Sequence, residues 1–336
     1  MGRLRKLIFG ISDAETTFAR RGFAPGEPAR QARLELIGRT FVRGYHAALL
    51  DDDPERLAAR LEEVESERRG FAYEGAAMGL ALSDSFSLGV GGRWRRFLEG
   101  PGRDHAYMIY VGAGWAMARL PRRRVEAFDA GSPLLRWLVI DGYGFHEGYF
   151  HWHRYAGGGA PKGLPEGFAS RVFDQGLGRS LWFVMCADVE RLRRTIGSLP
   201  ACRRSDLWSG VGLACGYAGG VGREQARALK EAGRDYLPAL GQGVAFAAKT
   251  RLRAGNMATQ TEVACETLCG MSAAEAAALT DEALAGLPDD GAVPSFEVWR
   301  QRIQSRVAAR GGAHIIGAAG QAASHAAQTT EVGRYS

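Results

Sequence analysis

The sequence predicts a mainly α, internally duplicated helical body with pseudo-twofold symmetry and a short extended segment between the copies. Three observations lead there. Apolar residues recur at three- and four-residue steps through much of the chain, the period of a helix with one buried face. Blocks of residues from the first part return later in the same order. Between the blocks stands a Gly-punctuated run rich in aromatic and β-branched residues.

At 336 residues the chain exceeds the usual size of one core, which predicts two domains or one large duplicated body. A hydrophobic content of 46%, with 10% aromatic and 24% charged residues, excludes wholesale disorder. The net charge of +6 does not mark a polyanion partner, because Arg is interleaved with Glu and Asp. The nearest basic run, Arg119 to Arg124, surrounds a Pro and has no stacking aromatics, so nucleic acid is not an expected partner. All five cysteines follow residue 185 without a framework pattern, pointing to reduced thiols and a cytoplasmic location. The longest apolar window, residues 106–118, falls short of the roughly twenty residues a membrane helix needs, so no membrane span is expected.

The duplication is legible as fixed offsets. Asp53, Glu55, Arg56 and Leu57 match Asp188, Glu190, Arg191 and Leu192, and in the same register Arg68-Arg69 and Gly75 fall on Arg203-Arg204 and Gly210. Upstream, a slightly smaller offset places Arg39, Phe41 and Gly44 on Arg171, Phe173 and Gly176. Downstream, Gly102-Arg103-Asp104-His105 meets Gly233-Arg234-Asp235-Tyr236, and Trp115-Ala116 meets Phe246-Ala247. Such collinear drift defines a first helical unit over 5–120, a linker over 121–135, a second unit over 136–252, C-terminal helices over 253–310 and a flexible tail over 311–336. The unit exceeds a solenoid repeat, which argues for domain duplication and against a stacked array.

Element by element, Leu34, Ile37, Phe41, Tyr45, Ala48 and Leu49 set out an amphipathic helix between Pro28 and Leu50. Asp53 is an N-cap with Pro54 in the first helical position, and Asp188 caps the matching helix. Gly75 with Gly79, and Gly212 with Gly216, put small residues one turn apart, which lets two helices approach closely. Asp104 opens a helix running to Leu120, and Asp235 opens its counterpart, both read as N-caps. Residues 137–155 are expected to form a short hairpin or extended crossing. Two further helices, Ser272 to Ala285 and Ser295 to Ala309, follow.

The densest reactive cluster is Asp141, His146, Glu147, His151 and His153. In an extended segment His151 and His153 share a face, and with His146 and Glu147 they are the metal-ligand candidates, although the spacing matches no established motif. Cys265 and Cys269 lie one turn apart, but Ser272 stands where an iron–sulfur cluster motif needs a third thiol, so both read as buried structural cysteines. No Lys-bearing phosphate loop, GxSxG elbow or HExxH helix occurs, and no cofactor is implied.

Three stretches carry a resemblance: Phe18 to Phe23 (FARRGF), Asp141 to Phe150 (DGYGFHEGYF) and Val111 to Pro121 (VGAGWAMARLP). Together they resemble the UnbL-type family of enediyne biosynthesis proteins, encoded beside enediyne polyketide synthases, over residues 5 to about 285. The resemblance implies a part in converting a linear polyketide-derived polyene into the enediyne core, with other proteins of the cluster as partners; it supplies no catalytic residue. An apolar, polyene-like small molecule asks for a long aromatic-lined pocket. Tyr110, Trp115 and Phe246, with Met108, are the expected ligand-binding residues. His105, His146 and His151, which differ from their counterparts in the other copy, are the catalytic candidates and are expected to approach one cavity walled by Trp115. The alternative is a non-catalytic scaffold or binding protein for partner proteins or an apolar ligand.

Overall fold

The structure is a computed structural model describing residues 2–86, 92–120, 132–159, 164 and 167–310. Most of the linker expected at 121–135 and the whole tail from 311 lie outside the described residues.

Local signals start the helices where the sequence places them. A short helix α1 (Gly2–Phe9), a 3-10 turn (Asp13–Thr16) and a single helical turn α2 (Phe18–Arg21) lead into α3 (Pro28–Leu50), opened by Pro28 in its first turn and by the Glu27 carboxylate accepting from the Ala29 and Arg30 amides. Asp53 accepts from the Arg56 amide at 2.9 Å to cap α4 (Pro54–Glu62), and α5 (Ser66–Ser85), α6 (Arg93–Glu99) and α7 (Ala106–Met117) follow. After α8 (Trp137–Ala156) and α9 (Phe168–Val184), Asp188 caps α10 (Val189–Gly197) with the same 2.9 Å bond, here to Arg191. Then come α11 (Ala201–Tyr217), α12 (Arg223–Ala232), α13 (Leu237–Arg253), α14 (Thr259–Ala264) with a π-helical turn at Cys265–Cys269, α15 (Ala273–Glu282) and α16 over 295–310.

Among the described residues, the long helices α3, α5, α7, α8, α9, α11 and α13 pack in that order, each against the next. The contacts are made by bare glycine Cα atoms facing carbonyl oxygens. A methyl group on Gly44 would collide with the Ala72 carbonyl, and one on Gly75 with the Phe41 carbonyl. The same crossed pattern joins Gly114 with Val139 and Gly142 with Val111, Gly144 with Phe173 and Gly176 with Asp141, Gly178 with Leu207 and Gly210 with Gln175, and Gly212 with Leu240 and Gly243 with Ser209. In every pair one number rises as its partner falls, so neighbouring helices run antiparallel. At α5 and α7, Ala77 replaces the second glycine opposite Gly112.

The underlying motif is G-x-G. Two residues turn a helix by about 200°, so the two bare positions face opposite sides and one helix can be closely approached by both neighbours. The second small residue of each motif stands at 44, 77, 114, 144, 178, 212 and 245, spacings of 30 to 37 residues. That shorter period revises the sequence-based expectation that no stacked array underlies the fold. It also revises one alignment: Gly44 plays the part of Gly178, not of Gly176. The four-residue pairs serve single interfaces as expected, Gly75 and Gly79 against α3, and Gly212 and Gly216 against α13.

Two further expectations are corrected. Residues 137–156 are helical, with one break at His151 (φ −137°, ψ 26°), and not an extended crossing. Gly142 and Gly144 let α8 pack between α7 and α9, and that burial outweighs the strand preference of its aromatic and β-branched side chains. Asp104 and Asp235 do not cap helices: each lies inside a 3-10 turn, Arg103–His105 and Arg234–Tyr236, with no side-chain cap bond.

Candidate functional site

A cavity opens where α3, α5, α7, α8 and α9 meet the N-terminal segment. Ile11, Glu15 and Thr16, Ile37, Phe41 and Val42 from α3, Phe71 and Glu74 from α5, Trp115 from α7, Phe145, Tyr149 and Phe150 from α8 and Phe183 from α9 surround it. Trp115 is the hub of the wall. Its ring centroid lies 4.6 Å from Phe41, 5.0 Å from Phe145, 5.8 Å from Tyr149 and 6.0 Å from Phe150. Its place follows from the glycine motif: Gly114 draws α7 against α8, so the next residue meets the α8 aromatics. At the mouth, Arg21 pairs with Glu15 at 2.7 Å and donates to the Phe150 carbonyl at 2.7 Å, its guanidinium lying over the Phe150 ring.

Two carboxylates line this space: Glu15, paired with Arg20 and Arg21, and Glu74. Glu74 is 1% exposed, and neither carboxyl oxygen has a hydrogen-bond partner. Burial raises its pKa from the ordinary 4.5 to about 7; the nearby Arg179 opposes the rise and Asp141 adds to it. The Trp115 indole N–H is close enough to favour the charged carboxylate, yet it completes no hydrogen bond and is itself buried without a partner. The cavity thus holds an acceptor and a donor, both unsatisfied.

Glu74 occupies the position just before the first glycine of its motif. Asp141, Gln175, Ser209 and Gln242 occupy the same position on α8, α9, α11 and α13. Those four are joined: Gln175 donates to Asp141 at 2.8 Å, and Ser209 Oγ lies 3.1 Å from Gln175 Oε1 and 2.9 Å from Gln242 Oε1. Arg179 pairs with Asp141, and Arg300 of α16 closes the other end on Gln242 and Asp206. Arg179 also borders a second, smaller cavity among Met108, Val111, Leu138, Tyr217, Phe246 and Trp299.

The residues singled out from sequence distribute unevenly. Trp115 walls the first cavity and Phe246 with Met108 the second, while Tyr110 packs edge-on against Trp94 and borders neither. His146 and His151 stay near each other, ring centroids 6.3 Å apart, and His146 meets Trp115 at 5.5 Å. His105 stacks on Tyr73 at 3.9 Å instead. None of the three imidazoles lines either cavity, which corrects the expectation of a shared one. Burial lowers His146 to about 4 despite its Glu147 partner, and burial with nearby Arg69 lowers His105 to about 4, so both are neutral near pH 7.

The metal reading rested on an extended segment and loses its geometry in a helix. His146 Nδ1 meets Glu147 at 3.3 Å, Tyr155 donates to Glu147 at 2.8 Å, and His153 stacks on Trp152. Among the described residues no group of three or more His, Cys, Asp or Glu is arranged to hold a metal ion. Cys265 and Cys269 are buried free thiols, the latter donating to the Gly241 carbonyl at 3.3 Å.

Glu74 escaped the sequence reading, although a signal existed: a lone acid amid small and apolar residues, directly before a helix glycine. Its lack of a partner is visible only in three dimensions.

A glycine-knit antiparallel helical array enclosing an apolar cavity defines the class of molecule. A family model covering residues 1–307 matches the chain, which belongs to the family described as a protein of unknown function (DUF1702). No curated protein and no solved structure matches it. Among the described residues no helix is long and apolar enough to cross a membrane.

Proposed function

We propose that this protein binds an elongated, largely apolar conjugated molecule in the Trp115 cavity and takes part in its conversion. The observation that carries the reading is an aromatic-walled cavity lined by a buried carboxyl group, that of Glu74, which makes no hydrogen bond within the protein. Flat or conjugated carbon frameworks fill such walls by stacking and by leaving water. The polyketide-derived polyene on the way to an enediyne core, which the sequence resemblance implies, has this character, with other proteins of that assembly as partners. Glu74, near half-ionised at neutral pH, is suited to hand a proton to such a ligand or accept one from it.

The test uses 1,6-diphenylhexatriene, a linear conjugated triene that fluoresces when it leaves water. The full chain is expected to raise its emission, and Val42→Trp, which fills the cavity, to weaken binding at least tenfold. Equal binding by both proteins overturns the reading.

The domain duplication belongs here too. Its support is a set of matched local contacts. Arg69 donates to the Val64 and Glu62 carbonyls, and Arg204 to the Leu199 and Gly197 carbonyls at the corresponding places. Superposing 5–120 on 136–252 in a crystal structure should bring Asp53 onto Asp188 and Gly102 onto Gly233 about a pseudo-twofold axis; failure of either match refutes it.

A further inference from the structure

We infer that the Glu74 end of the Trp115 cavity is a hydroxyl-recognising subsite, taking a single hydroxyl of an otherwise apolar ligand between the Glu74 carboxyl and the Trp115 indole N–H. The inference rests on the cavity being a ligand site.

Two independent observations carry it. The first is chemical complementarity. Glu74 is 1% exposed and Trp115 5%, both border the same cavity, and both keep a hydrogen-bonding group without a partner. Buried polar groups are normally paired, and an orphaned one pays its desolvation uncompensated. A hydroxyl answers both at once, accepting from the indole N–H while donating to the carboxylate. A carbonyl oxygen can only accept, so it uses Glu74 in the protonated form alone.

The second observation is positional. At the same place in the helix motif, Asp141, Gln175, Ser209 and Gln242 are linked from helix to helix by hydrogen bonds, with the Gln242 Nε2 left over. Glu74 stands apart from that row because the equivalent positions on its neighbours α3 and α7 are Phe41 and Val111, which offer no polar side chain. Each of those four residues makes at least one hydrogen bond within the protein, whereas neither Glu74 oxygen makes any, and Glu74 faces the cavity. What completes it comes from outside the chain.

The experiment compares naphthalene with 2-naphthol, which differ by one hydroxyl, by isothermal titration into the full-length protein. Wild type is expected to bind 2-naphthol at least tenfold more tightly than naphthalene, and Glu74→Leu to abolish that preference while keeping its affinity for naphthalene. Retained naphthalene binding shows that the variant is folded. Glu74→Gln, which still donates and accepts, should keep most of the preference. If wild type binds both compounds equally, the orphaned pair is served by water and the subsite is refuted, while the cavity reading stands. If wild type binds neither, the cavity reading fails and the subsite with it.

Discussion

Glu74 is a stability liability held inside the protein. Its folded pKa of about 7 lies above the ordinary 4.5, so between those values the folded state holds a proton that the unfolded chain has released. Folding stability therefore falls as pH rises from 4.5 to 7 and stays low above it. The linkage amounts to roughly 3 kcal/mol, an upper figure since the interior relaxes around a charge. Glu74→Gln removes the titration. Urea denaturation at pH 5 and pH 8 should show the variant gaining on wild type at the higher pH; parallel losses in the two proteins would mean that Glu74 does not titrate in this range. A single-residue check of the polar row is Arg300, fully buried against Asp206 at 2.6 Å and Glu297 at 3.1 Å. Arg300→Ala strands buried carboxylates and is expected to cost about 3–5 kcal/mol in the same assay, where a loss under about 1 kcal/mol would show that Arg171 alone satisfies them.

At the scale of the helices, the glycines decide. A side chain at Gly210 would run into the Gln175 carbonyl, so Gly210→Ala must push α9 and α11 apart. A cost of about 3 kcal/mol or more in thermal denaturation is expected, at the severe end of overpacking. Gly197, in the last turn of α10, has nothing within reach of an added methyl, and Gly197→Ala should be neutral or stabilise by up to about 1 kcal/mol. Similar effects at both sites would refute the close-approach account. The short helices obey local rules instead. Asp53→Ala and Asp188→Ala each remove one cap bond and should each cost about 1 kcal/mol, a helix-start effect legible from Asp-Pro and Asp-Val-Glu alone.

Across the whole molecule, one hydrophobic cluster runs from Ile11 to Val307 and includes side chains of every long helix. The segments 5–120 and 136–252, distinct on the sequence, share it: Arg33 donates to the Ala218 carbonyl at 2.9 Å, Arg251 to the Glu67 carbonyl at 3.2 Å, and Phe71 packs on Tyr217 at 5.0 Å. Scanning calorimetry should therefore record one transition whose van't Hoff and calorimetric enthalpies agree. Two resolved transitions would mean that the units fold as separate domains.

What the sequence determined by itself is what chemistry within one helical turn controls. The apolar spacing of α3, the Asp caps of α4 and α10, Ser272 at the start of α15 and the amphipathic C-terminal helix all depend on residues within four or five positions of each other, so they read directly. Tertiary structure decided the rest. The run from Trp137 has strand-like side chains, and only the presence of α7 and α9 on either side, admitted by Gly142 and Gly144, makes it a helix. His105 stacks on Tyr73 of α5, while His146 and His151 stay together on α8. Glu74 is an ordinary acid by its local sequence; it becomes the centre of the site because Phe41 and Val111, distant in the chain, stand where a partner would have been. A group's lack of partners is a property of everything packed around it, and no local pattern can carry it.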